Sequence, residues 1–133
     1  MQREGGCFCG ALRYSAAGEP RVVTHCHCLH CRRTSAAAFV TWAEFPADRF
    51  AWTRGHPASF ESRAGITRTF CAACGTPITY RSASTPEALD LTVCSLDEPD
   101  ALVPQDHVFA DRLLSWVHLD DRLPRYRRSR REG

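Results

Sequence analysis

The stretch Thr24-His25-Cys26-His27-Cys28-Leu29-His30-Cys31-Arg32 places three cysteines within six residues, spaced C-x-C-x-x-C, with three histidines interleaved. Neighbouring thiols on a C-x-C turn are badly placed to form a disulfide with each other, whereas a turn that aims thiolates at one point suits a tetrahedral cation. Three soft donors favour zinc, copper(I) or an iron-sulfur cluster over the hard cations. Zinc is the default, because the C-x-C spacing is tighter than the C-x-x-C runs that hold iron-sulfur clusters.

Two further cysteine pairs lie outward from this centre. Upstream, Gly5-Gly6-Cys7-Phe8-Cys9-Gly10 is a second C-x-C flanked by glycines able to take the positive φ of a tight ligand turn. Downstream, Cys71-Ala72-Ala73-Cys74-Gly75-Thr76-Pro77 is a C-x-x-C knuckle with a glycine just after its second thiol. Cys7, Cys9, Cys71 and Cys74 together supply the four thiolates of a closed structural zinc site, which would tie the N-terminus to the middle of the chain. Without a metal, an exposed C-x-C would oxidise readily.

Cys26, Cys28 and Cys31 then form a three-thiolate set, and an open fourth position separates catalytic from structural zinc. Cys94 could close it, as could His25, His27 or His30 from within the loop, and the sequence leaves these alternatives open. The loop histidines could instead donate outer hydrogen bonds. By default Cys94, on the alternating run Leu89 to Cys94, is a small buried hydrophobe, and His56, His107 and His118 are packing or surface residues.

Between the cysteines the pattern is one of short strands separated by turns, as in a mainly β domain. Strands are predicted over Ala11–Ser15, Arg21–Thr24, Ala36–Phe45, Phe50–Trp52, Ala58–Ser62, Ile78–Tyr80, Leu89–Cys94 and His107–Phe109. Phe39, Trp42, Phe45, Trp52, Phe60, Phe70, Tyr80, Phe109 and Trp116 are the candidate core, with one or two free to wall a cleft.

The chain of 133 residues suits one domain, read as residues 1–124, followed by a basic and flexible tail over 125–133. Five arginines crowd that tail; without them the body holds 12 arginines against 14 acids, a net −2, so it is no platform for nucleic acid. There is no lysine, which excludes Schiff-base chemistry on a lysine side chain. No apolar leader or membrane-length run is present, which points to a reducing cytoplasmic setting where eight cysteines are metal ligands rather than disulfides.

The ordered motifs, from Gly5 to Tyr14, His25 to Arg32, Phe70 to Pro77, Ser95-Leu96-Asp97 and Trp116 through Leu123-Pro124, resemble the glutathione-dependent formaldehyde-activating family, which shares its domain with centromere protein V. The resemblance implies small antiparallel β-sheets stapled by zinc, an arrangement called a β-tent, with two zincs per chain. It implies a structural zinc on Cys7, Cys9, Cys71 and Cys74, and a catalytic one on Cys26, Cys28 and Cys31. It also implies a carbon-sulfur lyase activity on a glutathione adduct of formaldehyde or a related aldehyde.

A zinc with three thiolates accepts a further soft ligand, so the thiol of glutathione is the expected co-substrate. Arg32 is the candidate anchor for one of its carboxylates. A small-molecule thiol or aldehyde adduct is thus the expected partner, with neither membrane nor nucleic acid. The rival readings are a zinc-stabilised binding module for protein or nucleic acid, and a thiol-based carrier or scavenger without turnover.

Overall fold

Residues 1–132, which the computed structural model describes, form ten strands and one short helix. Strands β1 (Gln2–Gly6), β2 (Arg13–Ala17) and β5 (Phe50–Arg54) make a small antiparallel sheet in the order β1-β2-β5. The larger sheet comprises β3 (Val22–Cys26), β4 (Val40–Pro46), β6 (Ala58–Arg63), β7 (Ile66–Phe70), β8 (Pro77–Ser82), β9 (Ala88–Thr92) and β10 (Asp106–Val108), ordered β10-β3-β4-β9-β8-β7-β6. All its neighbours run antiparallel except β10, which lies parallel to β3. The mainly β architecture expected from the sequence is the one observed.

Strand alternation divides the chemistry between the two faces of the large sheet. Val23, Ala43, Phe45, Leu89 and Leu91 are buried in one cluster with Tyr14 and Ala16 of the small sheet and Leu12 of the turn before β2. Fully burying a side chain such as Phe45 or Leu91 contributes about 1.5–3 kcal/mol, so this layer is the main source of stability. The alternate positions Thr24, Trp42, Glu44, Asp90 and Thr92 belong to the other face, which is left for polar chemistry. At Gly5 an added Cβ would sit 2.5 Å from both the Tyr14 hydroxyl and the Ser95 carbonyl, so the close packing of β1 rather than a positive φ requires glycine there.

The structure departs from the expected elements at several points. Leu29–Ser35 is a helix, α1, capped by the Cys28 sulfur, which accepts a hydrogen bond from the Cys31 amide, and ended by Ala36 in the left-handed region at φ 54°. The strand expected from Ala36 therefore begins only at Val40. The run Leu89 to Cys94 leaves the sheet after Thr92 and continues as a 3-10 turn, Val93–Ser95. Val93 takes the inward position of that turn, and Cys94 is exposed instead of being a buried hydrophobe. Trp116 is 67% exposed rather than core, in a stretch, 113–122, that forms no strand.

The basic segment from Arg125, read from sequence as a flexible tail, is docked along β10. Its backbone exchanges hydrogen bonds with His107, Phe109 and Ala110, Tyr126 packs against Val108 and its neighbours, and Arg130 pairs with buried Asp106 at 2.8 Å. Charge composition could not reveal this, since the partner carboxylate lies 24 residues away. Among the described residues no helix is long and apolar enough to cross a membrane.

The Asp106–Arg130 pair makes stability depend on pH in a definite direction. Burial opposes ionisation of Asp106, but hydrogen bonds from Arg130 and Thr24 outweigh it and hold the carboxyl below the usual carboxylate range. A lowered folded-state pKa contributes stability above the unfolded value near pH 4, and that contribution is lost as the pH falls through the folded value. Asp106→Asn is expected to cost about 2 kcal/mol at neutral pH, less than a fully buried pair because Arg130 is partly exposed. The deficit should narrow in acid. Urea melts of both proteins at neutral and acidic pH check this, and equal neutral-pH midpoints would refute it.

Candidate metal centres and the adjoining cavity

Two hairpin turns bring four thiols together. Cys7 and Cys9 lie between β1 and β2, where the Cys7 amide donates to the Leu12 carbonyl (3.1 Å) and Gly10 takes φ +81°. Cys71 and Cys74 lie between β7 and β8 in a matching turn, with the Cys71 amide donating to the Thr76 carbonyl (3.0 Å) and Gly75 at φ +84°. The four sulfurs lie within 4.8 Å of one another. Cys7 to Cys9 is 3.6 Å and Cys9 to Cys71 is 3.8 Å. Tetrahedral zinc with its usual Zn–S bonds needs sulfurs about 3.8 Å apart, so this donor set fits a closed zinc site.

The sulfurs also accept backbone N–H groups, from Leu12 to Cys7 (3.2 Å) and from Cys74 to Cys71 (3.5 Å). Hydrogen bonds from the Thr76 side chain and backbone bring Cys74 down to about 5, so thiolate is available at this position at neutral pH. Such hydrogen bonds stabilise negative charge, as in metal-binding knuckles generally.

The central cluster spans the junction of β3 and α1. Cys26 closes β3, Cys28 caps the helix and Cys31 lies in its first turn, with Cys31 and Cys26 sulfurs 3.2 Å apart and all three within 4.8 Å. The Trp42 indole N–H donates to the Cys31 sulfur at 3.4 Å. Hydrogen bonds from Cys26 and Cys31 draw Cys28 down to about 2, while sharing with Cys28 pushes Cys26 up. Three thiols crowded this closely cannot all ionise without a cation to balance them.

Neither Cys94 nor any loop histidine joins the three cysteines within that distance. His25 Nδ1 lies 2.8 Å from the Thr41 hydroxyl, and His30 is exposed at the cavity mouth. His27 is fully buried and turns to His107, Nε2 to Nδ1 at 2.9 Å, while His107 Nε2 meets the Asp121 carboxylate at 2.8 Å. This relay fastens the cysteine loop to β10, whose parallel register sets His107 beside His25. His107 thus has a part in organising the site that its isolated place in the sequence did not suggest.

Cys26, Cys28 and Cys31 open onto a cavity of about 250 Å³, whose other walls include Trp42, Arg68, Tyr80 and Asp90. The strand register explains that grouping, because Glu44, Asp90, Tyr80 and Arg68 are successive partners across β4, β9, β8 and β7. Arg68 is only 6% exposed, with its guanidinium 5.0 Å from the Tyr80 ring and 5.9 Å from the Trp42 ring. Its Nε donates to the Ser62 hydroxyl (3.1 Å) and its Nη1 to the Thr34 hydroxyl (3.3 Å). A second, mainly apolar cavity of about 370 Å³ shares Trp42 and Arg68 and continues past Val40, Phe60 and Phe70.

Arg32, the cation singled out from sequence, is not among the residues lining either cavity; Arg68 lines both. Arg68 and Asp90 escaped sequence reading because they stand far from the cysteine loop in the chain. The one available signal was alternation in Leu89-Asp90-Leu91-Thr92, which sets the acid on the face opposite the leucines.

Residues 2–112 match the family described as glutathione-dependent formaldehyde-activating enzyme. A crystal structure of a Rhodobacter sphaeroides protein superposes with a TM-score of 0.60 at 19% identity, covering 92% of this chain and 98% of that one, which is a likeness of fold. A search of the curated proteins matches none of them. With a family match over most of its length and a fold that gathers the matched cysteines, this chain belongs to the glutathione-dependent formaldehyde-activating enzyme family.

Proposed function

We propose that this protein is a zinc-dependent carbon-sulfur lyase or adduct-forming enzyme, acting on the adduct of glutathione or a similar small thiol with formaldehyde or a related aldehyde. In this reading Cys7, Cys9, Cys71 and Cys74 hold a structural zinc, and Cys26, Cys28 and Cys31 hold a catalytic one. The observation that carries it is the three-cysteine set, joined by no fourth thiol among the described residues and opening onto a cavity with a buried arginine. A zinc bound there supplies a soft Lewis-acidic centre at which a thiol ionises near neutral pH.

The chain's own residues then bind and orient the adduct. Arg68, held in place by two aromatic rings and two hydroxyls, presents a fixed positive charge suited to a glutathione carboxylate. Trp42 and Tyr80 wall the space and exclude water around the reacting carbon. Together the two cavities have the capacity of an ordinary small-molecule site, about 300–1,000 Å³. The docked C-terminal segment favours this reading over a nucleic-acid module, because Arg130 is already paired with Asp106 and the Arg125 guanidinium donates to the Leu119 carbonyl.

The test is NMR exchange spectroscopy of glutathione and formaldehyde with catalytic amounts of the zinc-loaded protein. Acceleration of adduct formation or cleavage over the protein-free rate is expected, and an unchanged rate would sink the proposal. Arg68→Lys keeps the charge but loses the planar fork, and is expected to weaken glutathione binding by about 10-fold in calorimetric titration. Unaltered affinity would remove Arg68 from the binding role.

A further inference from the structure

We infer that Asp90 is the group that exchanges a proton with the aldehyde-derived oxygen of the adduct, an inference that rests on the carbon-sulfur reading above. Neither cysteine motif contains a carboxylate, yet the reaction moves a proton on and off that oxygen. Among the described residues, Asp90 is the only carboxylate lining the cavity that the three cysteines share with Arg68. The cavity is small enough for a wall residue to reach a bound adduct directly or through one water.

The surroundings of Asp90 suit the task. Burial raises its pKa to about 7, and Glu44 on β4 pushes the same way, while Arg130 from the C-terminal segment and Arg68 on β7 oppose them. Tyr80 faces it from β8, and Arg63 and His30 complete the ionisable part of the cavity wall. A carboxyl near neutrality can both give and accept a proton at working pH, the condition for efficient acid-base catalysis. His30, the imidazole on the same wall, is exposed at the mouth rather than enclosed with the thiols.

In the forming direction a sulfur lone pair of the thiolate attacks the aldehyde carbon and makes the carbon-sulfur bond. The carbonyl π pair moves to oxygen, which takes the Asp90 proton and becomes the adduct hydroxyl. In cleavage the Asp90 carboxylate removes the hydroxyl proton, the oxygen pair re-forms the carbonyl, and the carbon-sulfur pair returns to sulfur as thiolate. No electrons are gained or lost overall. Asp90 recovers its starting state by exchange with bulk water.

The test compares wild type, Asp90→Asn, Asp90→Glu and His30→Ala in cleavage of the adduct made from glutathione and formaldehyde, with zinc content and glutathione affinity measured alongside. Wild-type cleavage should rise with pH through about 7. Asp90→Asn should lose this rise and about 100-fold in rate while keeping zinc and glutathione binding. Asp90→Glu, which keeps the charge, should retain the rise at a lower rate even if the amide variant folds poorly. Independently of turnover, infrared difference spectra should contain a carbonyl band of a protonated carboxyl slightly below neutral pH in wild type, and lack it in Asp90→Asn. Wild-type rates and pH profile in Asp90→Asn, or loss of the inflection only in His30→Ala, would overturn the inference and leave the proposed function standing. No cleavage by wild type would instead overturn the function and this inference with it.

Discussion

Cys71→Ser is expected to release one zinc per chain and to leave the protein largely unfolded or melting more than about 10 °C lower. Cys71 is buried, its sulfur lies 3.8 Å from that of Cys9, and its turn joins β7 to β8 while Cys9 belongs to the turn between β1 and β2. Under the proposed assignment one metal therefore closes a loop of more than sixty residues and fixes the small sheet against the large one. Structural zinc contributes folding energy outright, and loss of such a site ranks with the most destabilising single changes, above about 4 kcal/mol. For a domain of this size that loss corresponds to a melting shift of the stated order. Elemental analysis with a calorimetric melt decides it, and a variant with two zincs and the wild-type midpoint would remove the structural role.

Cys28→Ser is expected to lose the other zinc and all measurable turnover while melting within a few degrees of wild type. The difference from Cys71 follows from position. Cys28 caps a seven-residue helix at the end of β3, a local turn already fastened by the hydrogen bond from the His27 amide to the Val108 carbonyl and by the His27–His107–Asp121 relay. Removing its thiolate takes one of three donors and the helix cap, worth about 1 kcal/mol, and leaves both sheets intact. Cys94→Ser provides the matched comparison, and since that thiol is exposed on a turn away from both clusters it should keep two zincs. One zinc in Cys94→Ser would mean that Cys94 reaches the three-cysteine set and closes it. Two zincs in Cys28→Ser would mean that this set is not the second site.

The cysteine partition was legible in the sequence because ligand turns are local. A C-x-C or C-x-x-C with nearby glycines carries its own geometry, which pairs Cys7 and Cys9 with Cys71 and Cys74 and sets Cys26, Cys28 and Cys31 apart, while the place of Cys94 stayed open. The fold brings those same groups together. Strands such as β5, β6 and β8 were legible for the same reason, through short alternating runs bounded by turns. Helix α1 was not, since seven residues beginning within a ligand cluster carry no apolar periodicity to announce them. The docking of the C-terminal segment was hidden because Asp106, a lone acid in sequence, becomes a buried partner only once β10 lies beside β3.

By itself, then, the sequence determined a mainly β chain, its family and the grouping of its thiols, because each of these rests on residues close together or on an ordered set of motifs. The tertiary structure decided what faces those thiols. Arg68 and Asp90 reach the cavity through the cross-strand register of β7, β8 and β9, and Arg32 does not, although it adjoins Cys31 in the chain. Register is a property of strand pairing, set by packing of the apolar face between the two sheets. No stretch of sequence read alone contains it.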